Sequence, residues 1–200
     1  MNSPRTIPGR MLQNAALLIL VGLVVASPAH AANKKHHIGF AIGYEKLLSN
    51  DVKDDATGID FSDAGYGAFQ YRFSVQRNLD LTFDVRGAQS TDSGGGVDFT
   101  LTNSYWGPGI RLISPKEGTR PYVQANFLFV REEAEAKSGG VTVTGHDTGA
   151  GFGISGGVDI RAGNLLSIPI EANYMYGKPA DDISGVGVNV GLTFNFGELY

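Results

Sequence analysis

Large apolar side chains recur at every second position through most of this chain, and this spacing sets the first expectation about its fold. In residues 79–89, for example, leucine, phenylalanine and valine alternate with aspartate, threonine and arginine. A period of two is typical of a β-strand, whereas an amphipathic helix repeats about every 3.6 residues. The pattern therefore predicts an all-β protein.

Eight segments carry this alternation, and residues that favour turns separate them. The predicted strands are 36–47, 65–74, 79–89, 97–113, 122–131, 149–161, 166–176 and 185–197. In the fourth strand the apolar positions change from odd to even numbers beside Gly107 and Pro108. Glycine and proline inside a strand commonly mark a β-bulge, so we expect one near residues 103–107.

The connections between these strands differ in length in a regular way. Those at 49–63 and 133–147 are long, those at 90–96 and 177–184 are intermediate, and those at 75–78, 114–120 and 162–165 are short. Outer-membrane barrels have an even number of strands, short periplasmic turns and longer outer loops. This arrangement predicts that both ends of the domain lie on the periplasmic side.

The first 31 residues have a different character. Arg5 and Arg10 precede an apolar run at 15–25, and the small-residue pattern Ala29-His30-Ala31 follows it. This order is typical of a secretory signal peptide, and the run falls short of the roughly 20 residues that a membrane-spanning helix needs. We therefore expect a signal peptide at 1–31, cleaved after Ala31, and one exported β-barrel domain at 32–200.

Composition limits the chemistry that this domain can carry. The chain has no cysteine, which excludes a disulfide framework, a thiolate metal site and a cysteine nucleophile. Its formal net charge is −4, and loss of Arg5 and Arg10 with the signal peptide makes the mature chain more acidic, which disfavours nucleic acid as a partner. The 28 glycines follow no collagen-like period and need a positional explanation.

Alternation alone does not decide whether the apolar face points inward, as in a soluble carrier of the lipocalin type, or outward to lipid. An eight-stranded barrel has an interior only just wide enough for side chains, so the face rich in glycine, alanine, serine, threonine and asparagine fits inside better. This predicts an eight-stranded antiparallel up-and-down transmembrane β-barrel with its apolar face toward lipid. Aromatic residues near strand ends would form its interfacial girdles; they are Tyr44, Phe73, Tyr122, Tyr174, Tyr176, Phe194 and Phe196.

The predicted inner face also carries charges of both signs. A short turn that pairs positions whose residue numbers add up to about 152 would place Arg72 opposite Asp80. Buried charges require partners, because an unpaired one costs several kcal/mol. The predicted lumen charge network consists of Arg72, Asp80, Asp84, Arg86, Asp159, Arg161 and Glu171, with Glu45 as a further member.

Several other patterns have simpler explanations than a binding or catalytic site. Residues 151–156 match a dinucleotide fingerprint, but they lie within a predicted strand and open no helix, which favours barrel-wall glycines. His36 and His37 lack further ligands at metal-binding spacing, and His146 lacks an identifiable nucleophile. The aspartates of the first loop could contact divalent cations, but a solvated loop is favoured; they are Asp51, Asp54, Asp55, Asp60 and Asp63. We expect no cofactor.

Three stretches carry a resemblance to a known family: residues 105–111, the turn leading into Pro121-Tyr122-Val123, and the glycine-spaced strand 149–157. With them the whole mature chain resembles the small outer-membrane β-barrel superfamily of OmpA membrane domains and OmpX-like proteins, within the porin family. Tyr200 follows the aromatic positions of the last strand, similar to the signature by which the barrel assembly machinery recognises its substrates. The resemblance implies a Gram-negative outer membrane, with lipid and lipopolysaccharide as contacts.

This resemblance leaves three functions to weigh. The leading hypothesis is a non-enzymatic barrel that contributes to envelope integrity or presents its loops to surface partners. A narrow conduit for small or hydrophobic solutes is the first alternative, and a lipid A-modifying enzyme is the second. Barrel deacylases of lipid A carry a His-x-Ser-Asn element in the penultimate strand, where this chain reads Asn173-Tyr174-Met175-Tyr176, which argues against that activity.

Overall fold

The structure is a computed structural model that describes residues 36–48, 53–54, 59–94, 96–115, 118–163, 165–179 and 182–197. The predicted signal peptide at 1–31 and the terminal Tyr200 lie outside these residues. The described strands are β1 (His36–Leu47), β2 (Lys53–Asp54), β3 (Ile59–Asp60), β4 (Asp63–Gln76), β5 (Leu79–Gly94), β6 (Val97–Ile113), β7 (Thr119–Ser138), β8 (Val141–Arg161), β9 (Leu166–Lys178) and β10 (Ile183–Phe196). In this part of the chain, no helix is long and apolar enough to cross a membrane.

Eight of these strands close into one antiparallel barrel in the order β1-β10-β9-β8-β7-β6-β5-β4, while β2 and β3 form a small separate hairpin. Closure depends on β1, which pairs with β10 on one side and with β4 on the other. His36 begins both ladders, opposite Phe196 and opposite Phe73. The predicted all-β fold with eight antiparallel strands is thereby confirmed.

The two faces of the wall differ as the alternation predicts. Large apolar side chains point outward and stay exposed; they include Phe40, Ile42, Val85, Val123, Ile154 and Val188. Small and polar side chains point inward and are buried. In β1, for example, Ile42 is 72% exposed whereas Glu45 is fully buried. Such a molecule presents its apolar side to its surroundings, which suits lipid and not water.

Two of the predicted loops are in fact paired strands. The predicted loop at 133–147 is a hairpin in which β7 continues to Ser138 and β8 begins at Val141. Gly139 and Gly140 form its turn with φ of 56° and 83°, values that glycine adopts without strain. The loop at 90–96 is likewise mostly strand, since β5 extends to Gly94. Beyond the lipid both faces of a strand contact water, so apolar and polar residues no longer alternate there.

The predicted bulge at 103–107 is wrong. The pairing of β5 with β6 continues without a shift from Leu79↔Leu112 to Gly94↔Val97. Odd-numbered residues of β6, such as Asn103 and Arg111, therefore point inward throughout. The apolar residues change phase because residues 97–104 of β6 lie beyond the lipid-facing band, where the outer face is polar, and the strand enters the band only after them.

The predicted register between β4 and β5 is wrong by one two-residue step. Arg72 lies opposite Thr82, and Asp80 lies opposite Ser74. The turn consists of residues 77–78 alone and is shorter than the prediction assumed, which moves Arg72 past Asp80 along β5. The irregularity between Ser74 and Gln76 offsets this by only one residue, so the register stays displaced. Arg72 must therefore find its carboxylate partner elsewhere.

Glycines of the inner face allow neighbouring strands to approach closely, which explains part of the high glycine content. A Cβ at Gly151 would lie 2.0 Å from the Tyr176 carbonyl oxygen, and one at Gly107 would lie 2.0 Å from the Phe127 carbonyl oxygen. Real Cβ atoms do not approach that closely, so any side chain there would push the strands apart. By contrast, a Cβ at Gly87 would meet no atom within 4 Å.

We predict that Gly151→Ala lowers the free energy of unfolding by about 1–3 kcal/mol, because the added methyl group overpacks the contact between β8 and β9. The matched control Gly87→Ala should change it by less than about 0.5 kcal/mol. Urea unfolding in lipid vesicles, followed by the fluorescence of the single tryptophan, Trp106, measures both. Equal effects of the two substitutions would contradict the close-approach explanation.

Candidate functional site

The inner faces of all eight barrel strands converge on a lumen filled by charged and amide side chains. Because side chains alternate between the two faces of a strand, every second residue points inward. Each strand therefore contributes a row of side chains to the lumen. Buried polar members are Glu45, Arg72, Asp80, Thr82, Asp84, Arg86, Asn103, Arg111, Arg120, Gln124, Asn126, Asp159, Glu171, Asn173, Asn189 and Thr193. The interior is therefore a polar core whose charges must be neutralised inside the barrel.

Arg86 of β5 lies at the centre of this core. Its Nη2 donates to Asp84 Oδ2 at 2.6 Å, and its Nη1 donates to Glu171 Oε1 at 3.0 Å and to the Tyr66 hydroxyl at 2.9 Å. Glu171 belongs to β9, which is four strands from β5 in the ring of eight and therefore on the opposite wall. The ion pair of Arg86 with Glu171 thus crosses the lumen.

Arg111 of β6 adds a second connection across the same level. Its Nη2 lies 3.6 Å from Glu171 Oε2, and its guanidinium carbon lies 3.9 Å from the centre of the Tyr122 ring. Arg111 also donates to the side-chain oxygens of Gln124 and Gln70, each at 2.7 Å. A charged group held by a carboxylate, an aromatic face and two amides is fixed in position.

The two glutamines join these arginines to another charged side chain at this level, Asp84. Gln70 Nε2 donates to Asp84 Oδ1 at 2.7 Å, and Gln124 Nε2 donates to Asp84 Oδ2 at 2.7 Å. Asp84 therefore accepts hydrogen bonds from three strands, β4, β5 and β7. We name the seven residues of this level the central network: Gln70, Asp84, Arg86, Arg111, Tyr122, Gln124 and Glu171.

A smaller ionic group lies toward the end of the barrel that holds the short turns. Arg120 Nη2 contacts Asp159 Oδ2 at 2.5 Å, and Arg72 Nη1 lies 3.7 Å from the same oxygen. Arg72 is on β4 and Asp159 on β8, again on opposite walls. Asp80 accepts a hydrogen bond from the Ser74 hydroxyl at 2.6 Å. The partner of Arg72 is therefore a carboxylate across the lumen and not Asp80 on the neighbouring strand.

The structure thus brings together Asp84, Arg86 and Glu171 in one group and Arg72 with Asp159 in another. Arg161 lies half-buried at the end of β8, opposite Ser167 of β9.

Sequence reasoning missed Arg111 and Arg120 as lumen residues. The predicted bulge obscured the orientation of Arg111. Because the odd-numbered residues of β6 point inward without interruption, Arg111 points into the lumen. Arg120 was assigned to the loop at 114–120, although β7 begins at Thr119.

The prediction for Tyr122 is also wrong, because the sequence analysis placed this residue in the outer aromatic girdle. It is buried in the lumen and its hydroxyl donates to Glu171 Oε2 at 3.0 Å. Parity within β7 gives the reason: Val123 and Phe127 face outward, so the even-numbered Tyr122 must face inward.

An apolar layer closes the lumen above the central network, on the side of the long hairpin. Its members are Tyr105, Leu128, Val130, Met175 and Ile183, all buried. The inward positions of Leu128 and Val130 explain why β7 is less polar on this face than the other strands. The cavity at the central network measures about 30 Å³, room for only one or two water molecules.

One serine and one histidine approach the geometry of a nucleophile with its base. Ser74 Oγ lies 3.0 Å from His37 Nε2, and His37 Nδ1 lies 2.5 Å from Asn195 Oδ1. The Ser74 hydroxyl, however, donates its proton to Asp80 at 2.6 Å. A hydroxyl whose proton is given to a carboxylate is not activated by the imidazole, because general-base activation requires the proton to point at nitrogen.

The structure gives no support to a metal site. Among the described residues, no three histidine, cysteine or acidic side chains are placed to hold a metal ion. Of the first-loop aspartates, Asp51 and Asp55 lie outside the described residues, Asp60 accepts the Ser62 N–H at 2.8 Å, and Asp63 accepts the Tyr44 hydroxyl. His146 lies opposite Glu133 on the exposed hairpin.

Comparisons with known proteins agree with this architecture. Residues 16–196 match the family profile described as the outer membrane protein beta-barrel domain. The comparison with curated proteins finds no match.

Solved structures of similar fold include Neisserial surface protein A, with a TM-score of 0.62, 14% identity, and coverage of 80% of this chain and 97% of that one. Ail, the attachment invasion locus protein of Yersinia pestis, has a TM-score of 0.59 and 13% identity, covering 82% and 99%. A major outer membrane protein of Thermus thermophilus has a TM-score of 0.54 and 11% identity, covering 84% and 100%. At these identities the likeness concerns the fold.

We predict that Arg86→Met lowers the free energy of unfolding by about 3–5 kcal/mol, because it leaves Asp84 and Glu171 buried without their main cation. The matched control is Arg131→Met, since Arg131 pairs with Glu133 at 2.7 Å on the exposed hairpin. Exposed pairs contribute less than about 1 kcal/mol. Urea unfolding in lipid vesicles compares the two variants, and losses of similar size would show that the central network contributes no more than a surface pair.

Proposed function

The chain belongs to the outer membrane protein beta-barrel domain family and is a protein of the bacterial outer membrane, and from this premise we propose that it is a closed, non-enzymatic barrel. In this proposal it contributes to envelope integrity through its lipid-facing wall and presents its outer hairpins to partners at the cell surface. Short turns then lie in the periplasm, and the long hairpin of β7 and β8 lies outside the cell.

The observation that carries the proposal is the central network. Arg86 and Glu171 meet from opposite walls at 3.0 Å, and Arg111 joins them at the same level. Opening a path for ions would require separating buried ion pairs, which costs several kcal/mol for each charge left without a partner. The apolar layer above the network adds a second obstruction. Because two layers of side chains block the lumen, the proposed function depends on the outer surface of the barrel.

A conduit for small solutes is the alternative that the lumen disfavours. Channels filled with water are built from about 16 strands, and an eight-stranded barrel fills its interior with side chains. The cavity of about 30 Å³ at the central network is too small for a solute path.

An enzyme acting on lipid A is disfavoured by the residues themselves. Asn173 and Met175 of β9 stand where the deacylases carry histidine and serine, and the Ser74 hydroxyl donates its proton to Asp80.

The proposal includes the two ends of the chain. Cleavage after Ala31 would release the signal peptide and leave the barrel domain from residue 32. The terminal Tyr200, in step with Phe194 and Phe196, would present the aromatic signal to the barrel assembly machinery. Lipid and lipopolysaccharide would surround the outward apolar face.

In planar lipid bilayers we expect the folded protein to show no reproducible unit conductance, because the central network and the apolar layer block the lumen. The triple variant Arg86→Ala, Glu171→Ala and Leu128→Ala removes the ion pair without changing the net charge and truncates a side chain of the apolar layer, and brief conductance steps should appear. The control Lys178→Ala with Asp182→Ala removes an exposed ion pair of 2.9 Å and should remain silent. Regular unit steps from the unmodified protein would refute the closed barrel.

Overproduction in a Gram-negative host should leave the mass spectrum of lipid A unchanged, and cells producing Ser74→Ala should give the same spectrum. The physical reason is that the Ser74 proton is held by Asp80, so no nucleophile is available beside His37. A new lipid A species that depends on the intact protein would show that the barrel is an enzyme.

A further inference from the structure

Arg72 of β4 is fully buried in the lumen, and its hydrogen-bond donors are not satisfied by the protein. None of its three guanidinium nitrogens has a hydrogen-bond acceptor among the described residues. Its Nη1 lies 3.7 Å from Asp159 Oδ2, but Arg120 contacts the same oxygen at 2.5 Å. A buried donor without an acceptor is unfavourable, above all on a charged group. Arg72 therefore has donors available for a further acceptor.

Arg111 of β6 is in a similar position. Within the part of the chain that the structure describes, its Nη1 has no acceptor, and its Nη2 lies 3.6 Å from Glu171 Oε2. The closer contacts of Glu171 are with other groups, because Oε1 accepts from Arg86 and Oε2 accepts from the Tyr122 hydroxyl, each at 3.0 Å. Arg72 and Arg111 thus each approach a carboxylate that is held more closely by another residue.

The strand register places these two arginines next to each other. Arg72 lies opposite Thr82 of β5, and Arg111 lies opposite Asp80 of the same strand. Thr82 and Asp80 are successive inward residues, so the two guanidinium groups enter the lumen from either side of β5, one inward step apart. Gln70, the inward residue before Arg72, accepts a hydrogen bond from Arg111 Nη2 at 2.7 Å.

The like charges of these neighbours repel each other. Among charged groups, Arg111 has the strongest electrostatic effect on Arg72, stronger than the opposite effect of either Asp159 or Asp80. Charges in a protein interior are only weakly screened, so this repulsion is not negligible. Water supplies acceptors for the unsatisfied donors but carries no charge. An anion supplies acceptors and offsets the repulsion as well.

The cavity of about 30 Å³ beside Arg111 limits the size of such an anion. Its lining includes Arg111, Gln70, Tyr122, Gly39 of β1 and Thr193 of β10. Gly39 keeps this space open, since a Cβ there would extend to 3.0 Å from Thr193 Oγ1. A cavity of this volume holds one or two water molecules. A single chloride or bromide ion, only slightly larger than water, fits it, whereas phosphate and sulfate do not.

We propose that a chloride ion binds in the lumen between Arg72 and Arg111, on the side of the central network that faces the short turns. The nitrogens of Arg72 and Nη1 of Arg111 donate hydrogen bonds to the ion. Its charge stabilises the two guanidinium groups at neighbouring positions, and the ion thereby links β4 to β6 through the lumen. This inference goes beyond the proposed function, because it concerns the stability of the barrel and not its role at the cell surface.

Diffraction from crystals of the folded barrel grown in sodium bromide tests the site directly. Bromide replaces chloride and scatters X-rays anomalously near its absorption edge. We expect an anomalous peak in contact with the guanidinium groups of both Arg72 and Arg111. The absence of a peak there, or density without an anomalous signal, would identify water or no ligand and would overturn the proposal.

Urea unfolding in lipid vesicles tests the same site in solution. Replacing gluconate by chloride at constant ionic strength should lower the unfolding equilibrium constant by about three- to tenfold, because a ligand that binds only the folded state stabilises it. Bromide should act as chloride does, whereas gluconate is too large for the cavity. An unfolding equilibrium that is the same in chloride and in gluconate contradicts the proposal.

A pair of variants assigns the chloride effect to this site. Arg72→Gln removes the guanidinium group and should abolish the response to chloride. The matched control Arg131→Gln removes an arginine that pairs with Glu133 on the exposed hairpin, and it should retain the full response. A full response in Arg72→Gln would overturn the proposal. If heat-modifiable gel migration shows that Arg72→Gln does not fold, bromide diffraction from the unmodified protein decides. In each case a silent planar bilayer would leave the closed barrel intact.

Discussion

The structure depends on the requirement that no backbone N–H or C=O group remain without a hydrogen bond in hydrocarbon. A sheet meets this requirement only when its first and last strands pair, which abolishes the edges. Here β1 performs that closure by pairing with β10 and with β4 at once. With the backbone satisfied by the ring, every second side chain is directed to lipid and the others into a narrow lumen.

That division gives the lumen its chemistry. A wall whose outer face is apolar leaves the inner face for polar groups, and a space this narrow brings opposite walls into contact. Arg86 reaches Glu171, and Arg72 reaches Asp159, each pair across the ring. Because these charges neutralise one another, the same groups that fill the barrel also obstruct it. In the closed barrel that we propose, stability and closure to solutes therefore arise from one set of contacts.

Beyond the membrane the constraint is lifted, and the molecule departs from the closed ring. β7 and β8 continue as a hairpin in which one edge, residues 141–149, has no partner among the described residues. In water such an edge is tolerated, because solvent can satisfy the backbone groups that hydrocarbon could not.

The sequence by itself determined the strands that cross the membrane and the face that each presents to lipid. The bounds of β1 and β6 follow from alternation alone. Alternation is a local property of the sequence, because one face of each strand contacts lipid and the other faces the lumen. Only the tertiary structure decided which charges meet. Arg72 and Asp159 are far apart in sequence, and the short turn at residues 77–78 places Arg72 opposite Thr82 instead of Asp80. The length of the β7–β8 hairpin was decided in the same way. It depends on strand pairing outside the lipid, which the alternation does not record. The inward position of Tyr122, by contrast, follows from parity within β7.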